Sequence, residues 1–81
     1  LIIGEDVTVG HKVKLQGCTI GNRVLVGKGS IVLDGAIIED DVMIGAGSLV
    51  PQRRRLESGY IYLGSPVTQI RPLSDAESSG L

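Results

Sequence analysis

Large aliphatic side chains fall on a six-residue beat along this chain. Ile3, Val9, Leu15, Ile20, Val26, Val32, Ile38, Ile44 and Val50 keep it, with a single five-residue step between Leu15 and Ile20. A second row lies four positions after each of these: Val7, Val13, Thr19, Val24, Ser30, Ala36, Val42 and Ser48, all small or β-branched. Gly4, Gly10, Gly21, Gly27 and Gly45 follow directly on large aliphatics. A fixed short period of this kind marks a solenoid. An α-helix cannot carry it, because six residues advance the helix by about 600° and the aliphatics would walk around its surface. The 12 glycines argue the same way, each costing about 1 kcal/mol in a helix relative to Ala.

Short strands satisfy the pattern. Val7/Val9, Val13/Leu15, Val24/Val26 and Val42/Ile44 alternate with neighbours that face the other way. Turn-forming residues then interrupt every run: Glu5-Asp6, Asn22, Lys28-Gly29, Asp34-Gly35, Asp40-Asp41 and Ala46-Gly47. Three hexads make one triangular coil, and coils stack as parallel strands about 4.8 Å apart. The expected fold is all-β, a parallel β-helix of about three coils beginning near Ile3, Ile20 and Ile38. Its inner columns are Ile3/Ile20/Ile38, Val9/Val26/Ile44 and Leu15/Val32/Val50. Residues 1–52 are expected to form the coils, and residues 53–81 an exit loop, a closing strand and the start of a helix. With 81 residues, one domain with a thin core is expected.

A formal net charge of −1 gives no case for nucleic acid or an anionic membrane, and Tyr60 and Tyr62, the only aromatics, make no stacking platform for bases. No run of about eighteen apolar residues and no secretory signal is present, and the one cysteine suits a reducing compartment, so a cytoplasmic location is expected. Cys18 reads as a buried filler. The chain starts at Leu1 in mid-repeat, without the capping element that terminal coils need, and is expected to be a clipped piece of something longer.

The stretch Ile3-Gly4-Glu5-Asp6-Val7-Thr8-Val9-Gly10-His11, with Ile20-Gly21-Asn22 and Ile44-Gly45-Ala46-Gly47-Ser48, is similar to the hexapeptide-repeat proteins. Within them it looks most like the gamma-class carbonic anhydrase-like branch, which takes in bacterial YrdA-type proteins. The ending Leu63-Gly64-Ser65-Pro66-Val67-Thr68-Gln69-Ile70-Arg71-Pro72-Leu73 resembles that branch's exit from its last coil. The likeness covers residues 1 to 77. It implies a left-handed coil, a hand the period alone leaves open since crossovers in general are right-handed. It also implies trimers with zinc held between subunits by three histidines. Of these, one lies upstream of the residues present, and two form a His-x4-His pair. His11 matches the first of the pair, while the second falls on Gln16. Zinc catalysis wants three protein ligands and an open position, and a neutral amide is a poor ligand. The motif therefore reads as dismantled, with zinc a cofactor of the family and none expected for this chain.

Other candidates read as scaffolding. Glu5-Asp6 and Glu39-Asp40-Asp41 repeat at equivalent corners and suit turn chemistry. Arg53-Arg54-Arg55 follows Pro51, where the beat is expected to stop, and reads as an exposed loop. Ser74-Asp75-Ala76-Glu77 is a capping box that should open a short helix. Residues preceding each large aliphatic point outward, so Leu25 should stack on Met43 and Ile31 on Leu49, with Lys14 extending the second column. Stacked outer apolar residues mark packing surfaces, and these five are the candidate interface.

Three functions remain. The first is a non-catalytic scaffold, truncated and engineered from a carbonic anhydrase-like parent, that self-associates into a homo-oligomer. The second is a zinc-dependent carbonic anhydrase-like lyase or hydrolase whose further ligands come from residues beyond this sequence. The third is a hexapeptide acyltransferase with His11 as general base.

Overall fold

A computed structural model describes residues 1–81. The strands are two residues long through the first three coils: β1 Ile2–Ile3, β2 Thr8–Val9, β3 Lys14–Leu15, β4 Thr19–Ile20, β5 Leu25–Val26, β6 Ile31–Val32, β7 Ile37–Ile38, β8 Met43–Ile44 and β9 Leu49–Val50. They are followed by β10 Arg55–Leu56, β11 Tyr60–Gly64, β12 Val67–Pro72 and the helix α1 Asp75–Ser79. Every third strand stacks in parallel, giving a prism with three walls. Wall A is β1-β4-β7-β10, wall B is β2-β5-β8-β11 with β12 beyond it, and wall C is β3-β6-β9.

From the second coil on, each wall buries the second residue of its strand and turns the first outward; in the first coil, at the open end of each wall, the expected inner residues Ile3 and Val9 are exposed and Leu15 is half-buried. Ile20, Val26, Val32, Ile38, Ile44 and Val50 are buried, whereas Leu25, Ile31, Met43 and Leu49 stay half-buried. The small second row fills the space between inner columns, with Val24, Ser30, Ala36, Val42 and Ser48 all buried. Thr19 departs from its expected place: it faces outward in β4, and Cys18 takes the inner position. The five-residue step explains this. The corner after Leu15 is one residue short, so the small inner position is counted back from Ile20 and not forward from Leu15.

The beat also outlasts Pro51. Leu56 and Tyr62 continue it at six-residue intervals and are both buried. β10 pairs with β7 and β11 with β8, laying two sides of a further turn on the third coil. Arg53-Arg54-Arg55 is thus not a loop leaving the solenoid. Arg53 turns the corner at φ 56°, Arg54 is half-buried at the small-residue position, and Arg55 lies in β10 with its Nε 2.6 Å from Glu39 Oε2. β12 then folds back antiparallel on β11. Ser74 caps α1 and completes the box with Glu77, as the sequence predicts.

Corners turn through residues in the left-handed region. Gly29 and Gly47 do so at φ 74° and 70° between walls B and C, but the equivalent residue in the first coil is Lys12, at φ 59°. A side chain there costs on the order of 1–2 kcal/mol, so the first coil's corner is the more strained. Between walls A and B the left-handed positions belong to Asp6, Arg23, Asp41 and Gly59, and Asp is among the non-glycine residues enriched in that region.

Candidate functional site

Lys14, Ile31 and Leu49 occupy one register on wall C, with Lys14 beside Ile31 and Ile31 beside Leu49. Leu25 and Met43 form the corresponding column on wall B, which Ile61 extends. The five outward residues singled out in the sequence therefore divide between two adjacent walls. Half-buried Leu33 and Pro51 follow the buried residues of β6 and β9 and widen the apolar area of wall C. They escaped notice because they interrupt the strict alternation.

The two edges of wall C differ in chemistry. At the B/C corner lie His11-Lys12, Lys28-Gly29 and Ala46-Gly47, one pair per coil. At the C/A corner lie Gln16-Gly17, Asp34-Gly35 and Gln52-Arg53. The three lysines of the chain, Lys12, Lys14 and Lys28, all stand on wall C or its B/C edge, and each is exposed. His11 and Gln16 are exposed as well, but they sit on opposite edges, with β3 between them. An extended segment of that length spans roughly 10 Å or more, so one chain cannot bring them to a common ion. No three His, Cys, Asp or Glu side chains gather anywhere in the chain in a way that could hold a metal. One imidazole and a distant neutral amide do not fit zinc, which takes deprotonated sulfur, nitrogen or oxygen donors in sets of three or four.

The A/B corner carries a hydrogen-bonded ladder. Asn22 Oδ1 accepts from the Glu5 backbone N–H at 2.8 Å, and Asp40 Oδ1 accepts from the Asn22 N–H at 2.7 Å. One coil on, Glu39 Oε1 accepts from the Ser58 N–H at 3.0 Å. That bond and the Arg55 guanidinium hold the Glu39 carboxyl below its ordinary pKa. Arg23 donates to Asp41 at 2.8 Å, and the bond raises the guanidinium pKa. A Cβ at Gly21 would collide with Asp40 Oδ1, so glycine there keeps the ladder in place. These carboxylates are occupied in stacking coils, and the repetition visible in the sequence was the signal for it. Burial raises the Cys18 thiol pKa, consistent with a core filler.

No pocket indents the chain, and no helix is long and apolar enough to cross a membrane.

Comparison with known proteins settles the family. Residues 17–52 match the family described as bacterial transferase hexapeptide (six repeats), and all 81 residues align at 85% identity with protein YrdA of Escherichia coli. The chain belongs to the hexapeptide-repeat family. It spans less than half of that relative, 44% of its length. Over 76 residues, 94% of the chain, it is 42% identical to gamma carbonic anhydrase 1, mitochondrial, of Arabidopsis thaliana, of which it covers 28%. The crystal structure of a hexapeptide transferase family protein from Anaplasma phagocytophilum superposes with a TM-score of 0.89 at 34% identity, over 96% of this chain and 51% of that one. The fold is a left-handed parallel β-helix.

Proposed function

We propose that this chain is a non-catalytic β-helix scaffold, altered from a carbonic anhydrase-like parent, that associates with copies of itself through wall C. The single observation that carries the reading is wall C itself. It combines a stacked apolar surface of Ile31, Leu33, Leu49 and Pro51 with Lys14 and Gln16 across its first coil. Stacked outward apolar residues beneath a polar rim are the ordinary anatomy of a protein interface. Gln16 in place of the family's second paired histidine removes a zinc donor from the edge of the same wall. Lys14 and Gln16 are, in this reading, the altered positions. Alteration by design explains them as readily as drift.

A second reading is favoured by the identity with the plant gamma carbonic anhydrase. In it, residues beyond 1–81 supply the missing ligands, and zinc-dependent carbonic anhydrase-like chemistry is retained by the longer protein. The acyltransferase reading rests on the shared fold alone.

Sedimentation equilibrium of the purified chain, together with its zinc content and its CO2 hydration rate, tests the proposal. Reversible association that Leu49→Asp abolishes, with no zinc-dependent hydration, is the expected result. Zinc-dependent hydration would overturn the non-catalytic half. A chain that stays monomeric at roughly 100 µM, weaker than most functional self-association, would overturn the other half.

A further inference from the structure

Side-chain ties between coils are unevenly distributed. The second coil is joined to the third by the Asn22 N–H on Asp40 Oδ1 at 2.7 Å and by Arg23 on Asp41 at 2.8 Å. Ser30 Oγ adds two more, donating to the Gly45 carbonyl at 3.1 Å and accepting from the Ser48 N–H at 3.2 Å. The third coil is joined to the turn above it by Arg55 and the Ser58 N–H on Glu39, and by the Gly64 N–H on Ser48 Oγ. Between the first coil and the second there is one such bond, from the Glu5 N–H to Asn22 Oδ1, and it is exposed. Val13 holds the place that Ser30 and Ser48 fill higher up, and its side chain cannot hydrogen-bond. None of the ion pairs reaches the first coil. Backbone pairing does not make up the difference, since β1, β2 and β3 meet β4, β5 and β6 in the same register as the strands above. The first coil also carries the strained corner at Lys12, φ 59°, where the next two coils have glycine.

A hinge stands beside this seam. The corner between Leu15 and Ile20 is a residue short, and Gly17 turns it at φ 50°. Cys18 follows at once, 1% exposed, and its carbonyl accepts from the Ile2 N–H of the first coil at 3.0 Å. We propose that the solenoid opens at this one seam, residues 1–16 swinging away about Gly17 as a unit, and that this opening, not unfolding of the whole chain, brings the Cys18 thiol to solvent. Proteins open in cooperative units, and the weakest are those with the fewest protecting contacts. Each repeat of a solenoid touches only its neighbours, so parting one seam leaves the coils beyond it intact. The serines, the carboxylate ladder and the ion pairs all lie beyond it. A glycine in the left-handed region absorbs the backbone rotation at little steric cost. Opening of this kind does not require association through wall C.

Labelling of the 81-residue chain with N-ethylmaleimide, followed by intact mass, tests the seam. Cys18 should react without denaturant, in proportion to the maleimide concentration. Its rate should rise only shallowly with urea below the unfolding transition, because parting one coil exposes a fraction of the surface that global unfolding does. Two variants separate the seam from the rest of the molecule. Lys12→Gly relieves the left-handed corner and should slow labelling by about threefold or more. Leu56→Ala, at the far end of the stack, should lower the urea midpoint of global unfolding. It should leave the labelling rate in water within about twofold, as distant sites act independently. Labelling that accelerates in Leu56→Ala in step with the lost stability, or that is absent until the chain unfolds, would mean that global unfolding exposes the thiol, and the seam would be wrong. A rate that Lys12→Gly leaves unchanged would confine the motion to the first few residues and overturn opening of the coil as a unit.

Discussion

Asp40 shows how a corner of this solenoid is held at the level of one atom. Its Oδ1 satisfies the backbone N–H of Asn22 one coil away, and Asn22 repeats the bond to Glu5. Asp40→Ala leaves that N–H to water at a part-buried site, and the expected loss is about 1 kcal/mol. Asp40→Asn keeps a carbonyl acceptor in place and should lose less than half as much. Urea midpoints of the two variants separate the acceptor from the charge, since equal losses would mean that charge is what matters. Gln16 makes a second residue-scale prediction. Gln16→His places an imidazole on the edge of wall C opposite His11, so neighbouring copies could share at most two such ligands, short of the three that zinc catalysis wants. Zinc titration of this variant should show no binding tighter than about a micromolar Kd. Tighter binding would mean that a third donor comes within reach.

At the scale of the element, what was legible followed from how local the signal is. The capping box at Ser74 needs only four residues, and α1 forms where it is expected. The two-residue strands and their inner columns were legible because each hexad repeats the same demand. Three things interfered elsewhere. Arg54 occupies a small-residue position and Tyr62 a large aliphatic one, which hid the strands β10 and β11. The short corner after Leu15 moved Cys18 inward where counting forward placed Thr19. The candidate site was less legible, because which edges of a wall face each other depends on the coil's closure and not on spacing along the chain. The junction of β12 and α1 carries its own prediction. Arg71 and the Ser74 N–H lower the Glu77 pKa from 4.5 to about 2, with Arg71 Nη1 2.7 Å from Glu77 Oε1. A depressed carboxyl pKa contributes stability that is fully present above the unfolded value of 4.5 and is lost as pH falls through the folded value of about 2. Carboxyl NMR should find Glu77 ionised down to below pH 3, and Arg71→Ala should move its titration back toward 4.5. An unmoved titration would assign the shift to the cap alone.

For the whole molecule, the arrangement of charge over a triangular prism decides what can pack against it. Acidic groups gather at the A/B corner, where the ladder and Arg23 engage them. The lysines gather on wall C and its B/C edge, so wall C and that edge carry both the apolar surface and the three unpaired lysines. Lys14 sits in the apolar column itself, next to Ile31. An ammonium at that place must lose water when another copy covers it, or hold the first coil open. Lys14→Met removes that cost and continues the apolar column with a side chain of similar length. Burying it adds about 1.5–3 kcal/mol per contact at most, and an association constant raised by roughly tenfold is the expected outcome in sedimentation velocity. The gain should persist in high salt, because it comes from burial and not from charge pairing that a shortened Debye length would screen. If Lys14→Met leaves association unchanged, the first coil lies outside the contact and wall C is shared through its second and third coils alone.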